Sequence, residues 1–377
     1  MVKNDPNMPK QDNTVRTQTC RFPAKSEGVV EYHVTLQVQD GSLSFESQLR
    51  ALLEAYSAVT TGKTVLLRRF FLSDPANQAG RLETALLGSP AAATSVIGQP
   101  PLNGTKIAAW VYAVEGGDVT DGVFLHNGYK HVWTGGMMSG DAGSEAQMVE
   151  IFNAYETALK EKGLDVAGNC LRTWIFVRDV DTNYSGVVKG RRDYFHRIGL
   201  TPDTHFIAST GIAGFSAVPQ QLVRMDAYAV KGLDDKQINY LHAYDHLCPT
   251  ALYGVTFERG TAVTYGDRTH VFISGTASID KEGMVVHGED PENQTRRMLE
   301  NVNALLHEAG AGFEDIVYSL VYLRDIADYS RVREILQREC PSLDPIYVLA
   351  PVCRPAWLVE MECMAILGKG DGSFASF

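Results

Sequence analysis

A thiol, a guanidinium and a carboxylate stand close together near the end of the chain. Cys353, Arg354 and Glu360 lie within the stretch Val352 to Glu362, which straddles a turn between two predicted strands. An arginine can pair with a carboxylate through two parallel hydrogen bonds, and a glutamate whose pKa is raised by burial can act as a general acid. The stretch therefore predicts a site for a small carboxylate substrate.

The two glutamates of this stretch share one face of a predicted strand. Residues 358–363 alternate, with apolar and sulfur-containing side chains on one face and Glu360 and Glu362 on the other. A solvated sheet face would also explain two glutamates in this pattern. The pattern alone leaves both the structural and the catalytic interpretation open.

The charge and the cysteine spacing argue against several classes of partner. The formal net charge of −11 disfavours broad binding to nucleic acids or anionic membranes, because these need a basic surface. No apolar run reaches the roughly 18 residues of a membrane span, and the N-terminus lacks the apolar core of a secretion signal. Six cysteines without C-x-x-C spacing indicate neither a zinc site nor a disulfide framework. We therefore predict a reduced, cytoplasmic protein without a structural metal.

The chain repeats one unit of strands and helices. Residues 131–136 (HVWTGG) match residues 270–275 (HVFISG), and each match is followed by an amphipathic helical segment. The next strand of each copy ends in Arg-Asp, at residues 178–179 and 324–325. A weaker third copy occupies the front of the chain, so the repeats are tandem domains.

These repeats divide the chain into modules. We predict a disordered lead at 1–19, modules at 20–118, 119–232 and 255–370, and a linker at 233–254. The order of elements indicates an α+β fold in which two helices pack on one face of each mixed sheet. Three of the predicted elements are strands at 64–72 and 316–323 and a helix at 329–339.

Two motifs of the last module resemble the YjgF/Rid superfamily, also called endoribonuclease L-PSP. They are Phe272 to Ser278 (FISGTAS) and Val359 to Glu362 (VEME). Single-module members of that superfamily have a chorismate-mutase-like sandwich fold and form trimers with clefts between subunits. The resemblance implies that this chain is a monomer enclosing a pseudo-trimer, and weak association into a higher oligomer is compatible with it.

The sequence departs from the deaminating members of this superfamily. Those proteins carry an arginine that grips the substrate carboxylate about fourteen residues before the V-E-x-E strand. Pro345 stands at that distance here, and Ser209 stands at the corresponding place in the second module. Because neither can form a bidentate clamp, we expect negligible hydrolysis of imines derived from amino acids.

A closer resemblance, over roughly residues 107–366, is to the chorismatase branch. It rests on several short motifs that run through the second and third modules: Arg172-Thr173-Trp174, Phe257 to Thr261, Phe272 to Ile279, Gln294-Thr295, and Cys353-Arg354 followed by Leu358-Val359-Glu360-x-Glu362. The segments 175–179 and 211–214 depart from the branch. A sister group with another substrate therefore stays an open alternative.

The resemblance implies roles for individual residues. Glu360 would be the general acid that protonates the enolpyruvyl group, and Cys353 would act near the ring. A cysteine at 353 with a small residue at Gly260 accompanies formation of 3-hydroxybenzoate in that branch. The implied substrate-binding residues are Arg354, Arg259, Gly260, Ser274, Gly275, Thr276, Arg172 and Trp174. No metal, flavin or nicotinamide is required.

Three functions thus compete. The first is a chorismatase-like enzyme that cleaves chorismate to pyruvate and a hydroxybenzoate. The second is a Rid-type deaminase or hydrolase acting on another small acid, and the third is a metabolite-binding protein without catalysis. Two or more arginines that converge on Glu360 in a pocket would favour the first, whereas an exposed Glu360 would favour the third.

Overall fold

Alternating strands and amphipathic helices assemble into three six-stranded mixed sheets. The computed structural model describes residues 2–3, 14–23, 28–140 and 142–377. Each sheet combines antiparallel pairs with one parallel pair at an edge. The predicted α+β fold with tandem modules is confirmed.

The first sheet has the strand order β1-β2-β3-β6-β4-β5. Its elements are β1 (Val2–Lys3), β2 (Val15–Phe22), β3 (Val30–Val38), α1 (Phe45–Thr60), β4 (Thr64–Leu72), α2 (Pro75–Ala85), β5 (Ala93–Gly98) and β6 (Ile107–Glu115).

The predicted disordered lead at 1–19 is wrong at Val2–Lys3, which pair with β2, and again from Val15 onward. Strand β2 pairs with β3 along its whole length, from Val15 opposite Val38 to Phe22 opposite Glu31. This pairing satisfies the backbone of both strands and buries Val15 and Cys20 in the core. Residues 4–13 of the predicted lead lie outside the described residues.

The second sheet has the order β11-β10-β12-β9-β8-β7. Its elements are β7 (Asp118–Thr120), β8 (Val123–His126), β9 (Tyr129–Met138), α3 (Ser144–Glu161), α4 (Val166–Asn169), β10 (Cys170–Val177), α5 (Val180–Arg197), β11 (Ala208–Ala213) and β12 (Val223–Lys231). The module therefore begins at Asp118, one residue earlier than the predicted boundary.

The third sheet has the order β13-β14-β15-β18-β16-β17. Its elements are β13 (Ile238–Leu241), β14 (Gly260–Thr264), β15 (Thr269–Ala277), α6 (Pro291–Glu308), β16 (Ile316–Leu323), α7 (Tyr329–Glu339), β17 (Ile346–Leu349) and β18 (Val359–Leu367).

Part of the predicted linker at 233–254 belongs to this third sheet. Strand β13 covers its edge by pairing with β14, from Ile238 opposite Val263 to Leu241 opposite Gly260. An uncovered edge would leave a row of unpaired backbone groups, so even a four-residue strand is useful there. The linker is therefore structural for part of its length.

Each module contacts the other two through buried polar contacts. Arg69 Nε of the first module donates to Asp226 Oδ2 of the second at 2.9 Å. Ser209 N of the second donates to Ser274 Oγ of the third at 2.9 Å, and Arg268 Nη1 of the third donates to Glu31 of the first at 2.6 Å. The modules therefore close a ring around one shared interior. Within the described ranges, no helix is long and apolar enough to cross a membrane.

Candidate functional site

The strand register gives Glu360 an equivalent in each module. Val359 is the first residue of β18, and it pairs with Leu323, the last residue of β16. The first residues of β6 and β12 pair in the same way with the last residues of β4 and β10. The second residue of these strands is Ala108 in the first module, Arg224 in the second and Glu360 in the third. Only the third module has a carboxylate at this position.

A β-bulge lies directly beside Glu360. The pairing of β15 with β18 shifts register between Ile273 and Thr276, and Ala277 then lies opposite Glu360. A Cβ at position 275 would collide with the Glu360 carboxyl. Gly275 is therefore required so that the carboxyl can lie against the backbone of the bulge, a device that redirects side chains next to functional sites.

Glu360 lies in a narrow cavity at the boundary of the second and third modules. Tyr184 and Gly211 of the second module, Gly275, Cys353, Arg354 and Glu360 of the third, and Tyr253 of the predicted linker are among its lining residues. Glu360 is only 5% exposed. The solvated-face interpretation of this glutamate is therefore wrong.

The environment of Glu360 favours its protonated form. Burial is the largest cause, and the negative charge of Glu362 adds to it, so that the pKa of Glu360 rises to about 8 although Arg172 and Arg259 oppose the rise. A carboxyl with this pKa holds its proton at neutral pH and can donate it. This is the state that a general acid needs.

Glu362 has a different environment from Glu360. Its carboxylate accepts hydrogen bonds from Arg172 Nη2 at 3.0 Å, Trp174 Nε1 at 2.8 Å and Tyr318 OH at 3.0 Å. Three donors around one buried carboxylate compensate its loss of water. Glu362 therefore acts as a fixed negative charge two residues away from the acid.

Two arginines, Arg259 and Arg354, line the cavity. A third, Arg191 of α5, lies near the lining residues Tyr184, Cys353 and Tyr253, whose interactions oppose the lowering of its pKa by burial. Arg191 Nη2 and Arg259 Nε are buried without a hydrogen-bond partner among the described residues. Buried donors without partners are costly, so these nitrogens point to an anionic ligand.

Cys353 faces both the acid and a tyrosine. Burial and the neighbouring Glu360 raise the pKa of the Cys353 thiol to about 12, although its hydrogen bond with Tyr184 opposes the rise. The thiol therefore remains neutral at physiological pH, and it is a poor nucleophile. It is suited to a role as a neutral group close to a bound ring.

Helix α6 holds the loop that carries Cys353 and Arg354. Asp290 caps this helix by accepting from Asn293 N, and Pro291 begins it. One turn later, Gln294 Nε2 donates to Ala356 O at 2.8 Å, and its Oε1 accepts from Leu358 N at 2.9 Å. Gln294 thereby fixes the approach to strand β18 from both sides.

Five residues predicted to bind substrate do not line this cavity. Arg172 and Trp174 hold Glu362 instead. Ser274 donates to Glu258 O at 2.6 Å and Thr276 donates to Ser274 O at 2.9 Å, so both stabilise the bulge. Gly260 packs against Phe272 O, where a Cβ would come within 2.9 Å. Their placement supports structural roles.

The sequence patterns did not predict Tyr184 and Tyr253, which line the cavity, or Arg191, which lies beside them. Tyr184 and Arg191 lie seven residues apart on α5, a spacing that puts both on one helical face. Tyr253 lies in a short 3-10 turn at Thr250–Tyr253. The helical spacing could have paired Tyr184 with Arg191, but only the tertiary fold brings them to Cys353. Among the described residues, His, Cys, Asp and Glu form no group of three that could hold a metal ion.

The raised pKa of Glu360 predicts a measurable pH dependence of stability. Between its ordinary pKa of 4.5 and about 8, the folded state keeps a proton that the unfolded state loses. Stability therefore falls as pH rises through this window, by on the order of 1.4 kcal/mol per pH unit. We expect Glu360→Gln, which cannot ionise, to remove this slope, so that the variant gains stability over the wild type from pH 5 to pH 8 in thermal or urea unfolding. Equal slopes in both proteins would contradict the assignment.

Comparisons with known proteins identify the family. The endoribonuclease L-PSP family model matches residues 260–367, and a RutC family protein of Pyrococcus abyssi is 38% identical over 98 residues, which are 25% of this chain and 76% of that protein. A chorismatase crystal structure has a similar fold, with a TM-score of 0.62 at 18% identity over 80% of this chain and 93% of that one. The structure of the YjgF gene product from E. coli matches 34% of this chain at 23% identity, with a TM-score of 0.28 and 98% of its own length covered. The chain thus belongs to the RutC family of endoribonuclease L-PSP-like proteins.

Proposed function

We propose that this protein is a cofactor-independent enzyme that cleaves chorismate to pyruvate and a hydroxybenzoate. The observation that carries this proposal is a buried carboxyl, Glu360, whose pKa rises to about 8 in a cavity that two arginines, Arg259 and Arg354, line. Chorismate is a dianion with an enol ether, so its cleavage needs cationic clamps and one proton donor. Both requirements are met by residues of this chain.

Glu360 begins the proposed reaction. Its proton passes to the terminal methylene carbon of the enolpyruvyl group, and the developing positive charge on the adjacent carbon weakens the ether bond to the ring. The bond breaks as the ring aromatises, and the proton that the ring loses returns to the Glu360 carboxylate. The atoms of chorismate equal those of pyruvate plus hydroxybenzoate, so neither an oxidant nor a reductant is consumed.

The arginines and the surrounding aromatic residues hold the substrate. Arg259 and Arg354 supply charge-assisted hydrogen bonds to carboxylates, and Arg191 adds a third cation on the side of Tyr184. The low-polarity surroundings that raise the pKa of Glu360 also strengthen these contacts. These hydrogen bonds compensate the two carboxylates of the substrate for the water that they lose on binding.

Cys353 is assigned to the ring step. Its neutral thiol lies beside Glu360 and Tyr184, where it can guide proton movement as the ring aromatises. We expect Cys353→Ala to keep pyruvate release within about tenfold of the wild type and to change the aromatic product, because protonation by Glu360 is left intact. Chromatography of the ring products with parallel pyruvate quantification checks this. An unchanged aromatic product, or a fall in pyruvate release of much more than tenfold, would contradict the assignment.

The function itself is tested by incubating the purified protein with chorismate. Pyruvate is measured with lactate dehydrogenase, and the ring product is identified by mass spectrometry. We expect one pyruvate and one hydroxybenzoate for each chorismate consumed. Chorismate that decays at the rate of a protein-free control would overturn the proposal.

A second candidate is hydrolysis of imines derived from amino acids, favoured by one observation. Arg191 Nη1 lies 3.4 Å from Ser209 Oγ, so a guanidinium of α5 lies at the position where deaminating relatives carry their carboxylate-binding arginine. Ser209 and Pro345 therefore do not exclude this activity. Imines generated in situ by an amino acid oxidase and trapped with semicarbazide test it. Slower formation of semicarbazone in the presence of the protein, at an unchanged rate of amino acid oxidation, would favour this candidate over chorismate cleavage.

A further inference from the structure

The Glu360 cavity is too small for any substrate of the proposed class. It offers about 30 Å³, which is room for about two water molecules. A larger pocket of about 170 Å³ adjoins it, and Arg259 lines both. The 30 Å³ cavity therefore cannot hold a ligand with two carboxylates by itself.

One segment separates the two spaces. Cys248 to Ala251 line the larger pocket, whereas Tyr253, Val255 and Phe257 line the Glu360 cavity. Residues 248–257 therefore form a wall with one face toward each space. We call this segment the lid.

We propose that the lid opens to join the two spaces into one binding site for an elongated ligand that carries two anionic groups. This inference rests on the proposed function, because it takes the Glu360 cavity as the ligand site. The ligand would extend from Glu360 past Arg259 into the larger pocket.

The contacts of the three arginines carry the inference. Arg191 Nε donates to Thr256 Oγ1 at 3.2 Å, Arg259 Nη2 to Cys248 O at 3.1 Å, and Arg354 Nη2 to Tyr253 O at 3.1 Å. All three acceptors belong to the lid. The lid oxygens thus occupy, in the closed state, donors that the carboxylates of a ligand would need.

The lid is built to move as one unit. Within it, Thr250 Oγ1 donates to Phe257 O at 2.7 Å, which ties its two ends together. Gly254 has a φ of +81° and open space at its Cβ position, so the backbone can turn there without a clash. The side chain of Leu252 is 72% exposed, so part of the outer face carries no packing that would hold the lid down.

Ligand binding and lid closure therefore compete for the same arginines. Contacts between arginine and the lid stabilise the closed state, and a ligand must replace them. A change that weakens the closed state without touching the ligand should increase the apparent affinity, because a larger fraction of the protein is then competent to bind. A rigid site predicts the opposite sign, since the lid oxygens would then only position the arginines.

Thr256→Val distinguishes these cases. The substitution keeps the shape of the side chain and removes the oxygen that holds Arg191 in the closed state. Using isophthalate as the dianionic probe and calorimetry as the readout, we expect its Kd to fall about three- to tenfold, in keeping with the net loss of one ordinary hydrogen bond. An unchanged or higher Kd would contradict the proposal that the lid opens.

Two control variants and a second readout sharpen the test. Thr256→Ser keeps the hydroxyl and should bind isophthalate like the wild type. Thr84→Val removes a hydroxyl whose hydrogen bond is to Gly80 O on a remote helix, and it should also leave the Kd unchanged. Amide hydrogen exchange of residues 248–257 in the ligand-free protein should be faster in Thr256→Val than in either control. Equal exchange rates in all three variants would also contradict the proposal that the lid opens.

These measurements are independent of turnover. A lower Kd with faster lid exchange, in a protein that does not release pyruvate from chorismate, would support the lid and overturn the proposed reaction. Chorismate cleavage with an unchanged Kd in Thr256→Val would support the reaction and overturn the lid. Benzoate, with one carboxylate, should bind more weakly than isophthalate; equal affinity would overturn the requirement for two anionic groups.

Discussion

Glu360→Gln will lower the rate of pyruvate release from chorismate by about 10²-fold or more. Glutamine keeps the shape of the side chain and cannot donate a proton to carbon, and loss of a positioned general acid costs about 10²- to 10⁴-fold. The environment argues for this large effect, because Glu360 is buried and its pKa rises to about 8. Steady-state pyruvate release at saturating chorismate measures it.

The pH profile of the wild type adds a second condition. The acid is active when protonated, so turnover should be flat in neutral solution and should fall as pH rises through about 8, the pKa of Glu360. A matched control is Glu300→Gln, on the exposed face of α6, which should retain both rate and profile. Wild-type turnover in Glu360→Gln would show that Glu360 is not the acid.

Local sequence patterns predicted many elements of this fold closely. The strands at 64–72 and 316–323 and the helix at 329–339 begin and end at the predicted residues, because each has a clear apolar period and a turn or capping signal at its ends. Strand β5 was not predicted. It follows Pro90 and two alanines and begins with a third; these residues carry little strand preference, and the position of the strand depends on pairing with β4.

The candidate site was harder to predict than the fold. The alternation in β18 put Glu360 and Glu362 on one face, yet no local pattern distinguishes the acid from the fixed charge. The difference between the two glutamates arises from Arg172 and Trp174, about 190 residues earlier in the chain. Their side chains donate hydrogen bonds to Glu362 and not to Glu360. Arg191 was missed for the same reason, because its neighbours come from the third module and the lid.

Arg69→Met will destabilise the protein by about 3–5 kcal/mol. Arg69 is completely buried, and its Nε and Nη2 lie 2.9 and 2.8 Å from Asp226 Oδ2. Its Nη1 lies 3.9 Å from Glu362 Oε1. Methionine fills much of the space of Arg69 but carries no charge. The buried carboxylates of Asp226 and Glu362 then lose a positive partner, and removing one partner of a buried ion pair is strongly destabilising.

A surface pair provides the matched control for Arg69→Met. Arg81 Nη1 lies 2.6 Å from Glu46 Oε1, but the two side chains are 58% and 60% exposed. Arg81→Met should therefore cost less than about 1 kcal/mol. Adding Asp226→Asn to Arg69→Met should recover part of the loss, because it removes the orphaned charge and keeps an oxygen that can accept from Gly136 N. Urea unfolding of the four proteins measures these differences, and a loss in Arg69→Met no larger than in Arg81→Met would contradict the network.

Arg69→Met also tests what the first module contributes to the site. This module has Ala108 where the third has Glu360, so it supplies no acid of its own. It supplies Arg69, whose guanidinium lies between the charges of Asp226 and Glu362, and the charge of Glu362 in turn helps to keep Glu360 protonated. Replacing Arg69 by methionine removes a positive charge that lies 3.9 Å from Glu362 Oε1, so the negative charge of Glu362 is less compensated and favours the protonated form of Glu360 more strongly. We therefore expect the alkaline fall in turnover of folded Arg69→Met to begin at higher pH than in the wild type. An unshifted profile would limit the role of the first module to stability.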